Sequence, residues 1–433
     1  MKRVAFFVVA VCGAAAAAVG AGRETGDAVT AAPGSERVAG LVQELSTGSS
    51  GEVVRQLEAA ASADPGNAEA HSLLSLGYQQ LFRETARPVD LARARAALET
   101  AVELGGESFT TQIALAQISA TQHRFRAAER HAREALRLEP GNASALGTLG
   151  DALVELGRYE EAFRSYDRAA AQGPSVAAYA RVARARELLG RPTGALEALE
   201  LAIEAGSGIS EQQAWALTRY GHLLLSVGRV DDADVAFRRS LGLQPGFPHA
   251  RAGIARAAAA RGATMEAIRR YERLLQDTPS ADYAIELGDL YLVQGREREA
   301  DRAYERARRH EERLAASGVR TMRASAGLDL DRGLRLASAL ELARQAYREA
   351  PNVETEDLLA WALARNGRCR EARARSERSL ELGTRDAKIL FHRGMIERCL
   401  GDRVAARWFA EAIETYPGFS ARWEPLARRL ASG

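Results

Sequence analysis

Between Ala143 and Gln172 apolar positions recur with the period of a helix. Leu146, Leu149, Leu153 and Leu156 make one apolar stripe, which predicts a first helix with a single buried face. Gly157 ends it, because glycine takes the left-handed conformation of a helix C-terminus without steric cost. Arg158-Tyr159 opens a second helix whose buried side carries Ala162, Phe163, Tyr166 and Ala169. Pro174 cannot continue that helix and marks its exit.

The pattern returns down the chain. Alanines equivalent to Ala162 stand at Ala94, Ala128, Ala162, Ala195, Ala233, Ala267, Ala300, Ala339, Ala372 and Ala406, with gaps of 34, 34, 33, 38, 34, 33, 39, 33 and 34 residues. A second small residue lies twelve positions upstream of nine of them, at Ala116, Gly150, Ala183, Gly221, Ala255, Gly288, Gly327, Ala360 and Gly394. Gly77 lies seventeen upstream of Ala94, which implies a five-residue insertion in that unit. A fixed period in this range predicts a stack of helical pairs. The small pair predicts a close contact between the two helices of each unit, where a leucine would overpack. The gap of 38 predicts a longer turn before Trp215. The gap of 39 makes the stretch from Glu311 to Leu336 the least regular, with Glu311-Glu312-Arg313 extending the helix before it. Pro65-Gly66-Asn67 and Pro140-Gly141-Asn142 each supply a helix stop, a turn and a helix cap.

These residues resemble the tetratricopeptide repeat (TPR) family. Its 34-residue helix-turn-helix consensus meets Leu146, Leu149, Gly150, Leu153, Ala162, Tyr166, Ala169 and Pro174 in unit three. Unit five offers Leu217, Tyr220, Gly221, Leu224, Ala233, Phe237, Ser240 and Pro245. The resemblance implies an all-α fold, a right-handed α-solenoid of about ten TPR units over residues 68–418. A degenerate helical pair over 35–66 precedes it, and a capping helix over 419–433, with Trp423 and Leu426 covering the last unit, follows. It also implies that the first helices line a concave groove that holds a protein or peptide partner. The groove positions give His71, Tyr78, Arg184, Trp215, His222, His249, Arg256, Asp289 and Trp361 as candidate partner-binding residues, with Asp151, Glu187, Asp282, Glu354, Asp357 and Lys388 on the same faces. Some TPR proteins grip chaperone tails through paired Lys and Asn residues, and the middle units carry neither at those positions.

Charge and chemistry narrow the function classes. The 433 residues hold 59 basic and 57 acidic side chains, a net charge of +2. They are intermixed as on solvated helix faces, so a nucleic-acid partner is not expected. Phosphate-binding loops, HExxH and nucleophile elbows are missing from the sequence, and seven histidines are dispersed. We therefore expect no catalytic residues, no cofactor and no metal site.

At the N-terminus, Lys2-Arg3, the apolar run Val4 to Val19 and the small residues Gly20 to Gly22 have the three parts of a secretory signal. Residues 1–22 are read as a cleaved signal in preference to an uncleaved membrane anchor, and 23–34 as a linker. An acylated Cys12 fits poorly after Val11. Export makes Cys369 and Cys399 candidates for a disulfide, but the sequence favours two separate small core residues. The expectation is an exported, non-catalytic scaffold, secreted, periplasmic or cell-surface, in cell-envelope assembly. The alternative is a carbohydrate-binding or enzyme-associated module of envelope polysaccharide export, which the sparse aromatics do not favour.

Overall fold

The computed structural model describes residues 50–85 and 87–432. The signal and linker assigned to residues 1–34, and the first helix of the degenerate pair, lie outside the described residues. Among the described residues the secondary structure is helical, with no strand. Unit one pairs Ala68–Thr85 with Pro88–Glu103, unit two Phe109–Thr121 with Phe125–Leu138, and unit three Ala143–Glu155 with Tyr159–Gln172. Unit four pairs Val176–Leu188 with Pro192–Ala205, unit five Ser210–Ser226 with Val230–Leu243, and unit six Pro248–Ala260 with Thr264–Asp277. Unit seven pairs Ala281–Val293 with Glu297–Ala316, and unit eight Met322–Arg332 with Leu336–Glu349. Unit nine pairs Val353–Arg365 with Cys369–Leu380, and unit ten Ala387–Cys399 with Ala405–Thr415. Ser50–Ala63 precedes this all-α solenoid and Glu424–Ala431 follows it.

Local chemistry sets the boundaries. The Asn142 side chain accepts from the backbone N–H groups of Ser144 and Ala145, 3.0 and 3.2 Å away, satisfying donors that a helix start leaves free. Asn67 does the same for Ala70. Asn352 and Thr355 form a reciprocal capping box at the start of unit nine. Gly157 takes φ 70°, which lets the chain reverse between the helices of unit three.

Nine of the ten repeating alanines are fully buried. In unit ten the buried residue is Ala405, not Ala406, because it follows the turn glycine Gly401 by four residues where Ala162 follows Gly157 by five. The partners of the small residues upstream also differ from expectation. A β-carbon at Gly150, Gly221, Gly288 or Gly394 would meet the ring of Tyr166, Phe237, Tyr304 or Phe409 respectively. Each of these glycines thus makes room for an aromatic ring on its own second helix. Gly77 instead faces Leu57 and Val54 of the preceding helix, at 3.1 and 3.2 Å, and Gly327 faces open space.

The two long gaps lengthen helices. Most of the extra length in the 38-residue gap lies within Ser210–Ser226, not in the turn before Trp215. The insertion in unit one lengthens Ala68–Thr85. These two long inner helices touch, with Gln80 Nε2 donating to Glu211 Oε1 at 3.0 Å. Glu297–Ala316 runs through Glu311-Glu312-Arg313 and accounts for the irregular lead into unit eight.

Cys369 and Cys399 are bonded to each other, with their Cα atoms 6.1 Å apart. The expectation of two separate core residues is therefore corrected. The last helix covers unit ten through Trp423, stacked on Phe391 with ring centroids 5.4 Å apart.

After just under six repeats the solenoid meets itself. The His123 ring Nδ1 lies 2.7 Å from the Arg320 carbonyl, and Val353 N donates to the Tyr159 hydroxyl at 2.7 Å. Asn352 Nδ2 donates to Glu155 Oε2 at 2.8 Å, and Thr384 Oγ1 to the Leu188 carbonyl at 2.6 Å. Pro417 packs on Gly228. The turns inside units two to five thus rest on the turns that precede units eight, nine and ten and follow unit ten.

Candidate partner-binding groove

A recurring wiring holds the acidic side chains of the inner, first helices. Asp151 accepts from the Tyr166 hydroxyl at 2.9 Å, fifteen residues on, and from Arg181 at 2.8 to 3.0 Å, thirty residues on. Glu286 accepts from the Tyr271 hydroxyl, fifteen residues back. Arg256, thirty residues back, grips it with bonds of 2.5 to 3.0 Å. Asp331 accepts from Trp361 Nε1 at 3.1 Å and from Lys388 Nζ at 3.0 Å. For Asp151 and Glu286 a second helix supplies the hydroxyl and a neighbouring first helix the cation, whereas Asp331 takes both of its donors from the first helices of units nine and ten.

Enclosure by the wall shifts the titrations. Burial, then the charges of Arg256 and Arg219, hold the His222 imidazole well below its ordinary value, so it is neutral at neutral pH. Burial lowers His249, whose Nδ1 lies 2.8 Å from the Tyr283 hydroxyl. Burial works against the charge of Arg256, but Glu286 more than offsets it and the pKa rises. Burial pushes Asp289 up to about 6, although it accepts from the Tyr304 hydroxyl at 2.6 Å. Burial and the nearby Glu354 push Glu155 up to about 7.

Most of the candidate residues lie on this inner wall, in different roles. Arg184 binds Glu354, 170 residues later, at 2.5 Å and so bridges units four and nine. Glu354 also accepts from Arg323. Trp215 is 38% exposed and stands between Glu211 and Arg219 on one helical stripe that continues to His222. Arg219 lies 3.6 Å from Glu187. His71 is half-buried near the start of its helix, its ring Nε2 3.1 Å from the Pro65 carbonyl.

Two candidates do not line the groove. Tyr78 is 5% exposed, and its hydroxyl donates to Glu58 on the preceding helix while Arg93 covers its ring. The lengthened first helix of unit one displaces its register, so the expected groove position faces the core. Trp361 is 2% exposed and stacks on His392 at 4.5 Å. Its bulk serves the core, and only its indole N–H reaches Asp331.

Models of the tetratricopeptide repeat match residues 119–187 in one form and residues 219–282 and 358–418 in another. These segments are tetratricopeptide repeats. No curated protein matches the sequence. A thermophilic TPR protein from Thermus thermophilus is 21% identical over 43% of this chain and 100% of its own, with a TM-score of 0.39. A TPR protein from Parabacteroides merdae is 18% identical over 67% of this chain and 99% of its own, with a TM-score of 0.36. The APC/C hetero-tetramer Cut9–Hcn1 gives 14% identity over 92% of this chain and 94% of that one, with a TM-score of 0.38.

Several residues of the TPR groove wall escape the repeat positions read from the sequence. Arg181, Arg219, Glu286 and Arg323 all make the ion pairs described above. A signal for two of them was present. Arg181 and Glu286 stand thirty residues from Asp151 and Arg256, the offset that joins neighbouring first helices of this TPR array.

Proposed function

We propose that this TPR protein is a non-catalytic scaffold that holds a protein or peptide partner against the inner wall around Trp215. The observation that carries this reading is the stripe Glu211, Trp215, Arg219 and His222, an exposed tryptophan set among polar groups on an inner helix. Tryptophan and arginine are frequent anchors of protein interfaces. We place the protein outside the cytoplasm, with cell-envelope assembly as its setting. The charged and apolar segments of residues 1–22 and the bonded cysteines support export.

Affinity capture with the wild-type chain and with Trp215→Ala tests the binding role. A partner retained by the wild type and lost from the variant supports it. Equal recovery by both, or turnover of a substrate by the purified chain, would count against it. Cell fractionation with N-terminal sequencing of the mature chain tests export, and a cytoplasmic chain beginning at Met1 would refute it.

A further inference from the structure

A solenoid whose units touch only their neighbours has a groove open along its length. This array adds a second set of contacts, between residues 194 to 197 positions apart. We propose that this seam between successive superhelical turns is a gate on the groove, closed in the structure and opened to admit a partner.

The seam has the composition of a separable contact. The first three rungs bring one to three hydrogen bonds each, and at the fourth Pro417 packs on Gly228. His123 meets the Arg320 carbonyl, and Arg320 N donates to the Gln122 carbonyl at 3.3 Å. Tyr159 accepts from Val353 N, and Leu188 accepts from Thr384. Few apolar side chains cross, among them Val319, Leu382 and Tyr416, which pack against the clusters of the earlier turn. Neighbouring units bury whole helix faces, so the seam parts before the stack does. Arg184 and Arg323 share Glu354 beside the middle rung, which ties units four, eight and nine together.

The turn glycines offer an internal control. A β-carbon at Gly157 would collide with the Pro351 carbonyl oxygen, and one at Gly190 with the Gly383 carbonyl oxygen. Gly262 and Gly367 occupy the same place in units six and nine with the same left-handed backbone, and a β-carbon there meets nothing. The local strain of Gly→Ala is therefore common to both pairs, and only the first pair pushes on the seam.

The gate rests on the partner-binding reading of the groove, whereas the seam can be measured without any partner. The full chain is compared as wild type, as Gly157→Ala with Gly190→Ala, and as Gly262→Ala with Gly367→Ala. Hydrogen exchange is followed at the peptides holding Arg320 and Val353, and small-angle scattering reports overall dimensions. Adding Trp215→Cys to each background gives the rate at which a bulky maleimide reaches the groove. The seam pair is expected to speed both exchange and labelling by roughly tenfold, as loss of one or two net hydrogen bonds would, and to enlarge the particle. The control pair leaves all three unchanged. Should the seam pair fail to fold, Tyr159→Phe with Glu354→Gln removes polar contacts without crowding and gives the same expectation. Wild-type scattering from an extended spring overturns the seam. Equal behaviour of the seam and control pairs does the same. Faster exchange at Arg320 and Val353 with unchanged labelling overturns the gate. Failure to capture a partner in the Trp215 experiment touches the binding reading and leaves these measurements as they are.

Discussion

The ring of Phe237 occupies the space that a side chain at Gly221 would need, since a β-carbon there lies 2.6 Å from Phe237 Cε1. A β-carbon at Gly253 of the next unit would meet the same ring atoms, and Phe237 is fully buried. An aromatic ring that needs glycine in two successive units couples their packing. We expect Gly221→Ala to destabilise the array by about 1–3 kcal/mol through overpacking. Gly242→Ala, on a helix where a β-carbon meets nothing, should stabilise by roughly 0.5–1 kcal/mol. Chemical denaturation of the two variants decides it, and shifts of the same sign would refute the wedge.

Arg256 is wired into an enclosed triad with Glu286 and Tyr271, whereas Arg137 meets Glu134 on the open surface. Removing Arg256 leaves a confined carboxylate without its cation. Arg256→Ala should cost about 1–3 kcal/mol, and Arg137→Ala, which removes a solvent-screened pair, clearly less. Equal midpoints in urea would show that the inner ion pairs are as weak as surface ones.

The disulfide closes a loop between residues separated by 30 positions. Its loss should cost about 3–4 kcal/mol by loop-closure entropy. The check is a denaturation curve with and without reductant, alongside mass spectrometry of unreduced peptides. Recovery of Cys369 and Cys399 only as free thiols from exported protein would contradict the bond.

Stability should fall as pH rises from about 6.5 to 8. Burial pushes Glu155 and Glu311 up to about 7, and Glu211 up to about 8, the last also by its hydrogen bond with Glu84. These carboxyls hold protons in the folded chain that the unfolded chain has released, so their contribution disappears as pH climbs through the folded values. Burial lowers His123, His131, His222, His249 and His310. They act the other way, but only below their unfolded value near 6.5. Melting temperatures across this window test the sign, and Glu211→Gln should flatten the upper part of the curve. A melting temperature that rises from pH 6.5 to 8 would reverse the assignment.

The repeating part of the fold was legible because its signals are local. Gly157 and Asn142 end and begin helices by their own chemistry, and the alanines recur because each unit solves the same packing problem. The register failed where length changed. An extended first helix carries Tyr78 away from the groove, and a spacing from turn glycine to alanine shorter by one residue moves the buried alanine to Ala405. The Cys369–Cys399 bond was within reach. Its separation of 30 is the offset that joins Asp151 to Arg181 and Asp331 to Trp361, a relation visible only once those pairs are seen side by side. The contact of Tyr159 with Val353 had no such signal, because it depends on the accumulated rotation of nearly six units.

Turns that touch also change how the array bears load. A superhelix with free space between its coils stretches like a spring, lengthening smoothly with force. Here the coils already rest on one another from Gln122–Arg320 to Gly228–Pro417. Tension applied to its two ends would meet a stiff cylinder first and yield only when the rungs let go, so the molecule would respond to pulling with a threshold.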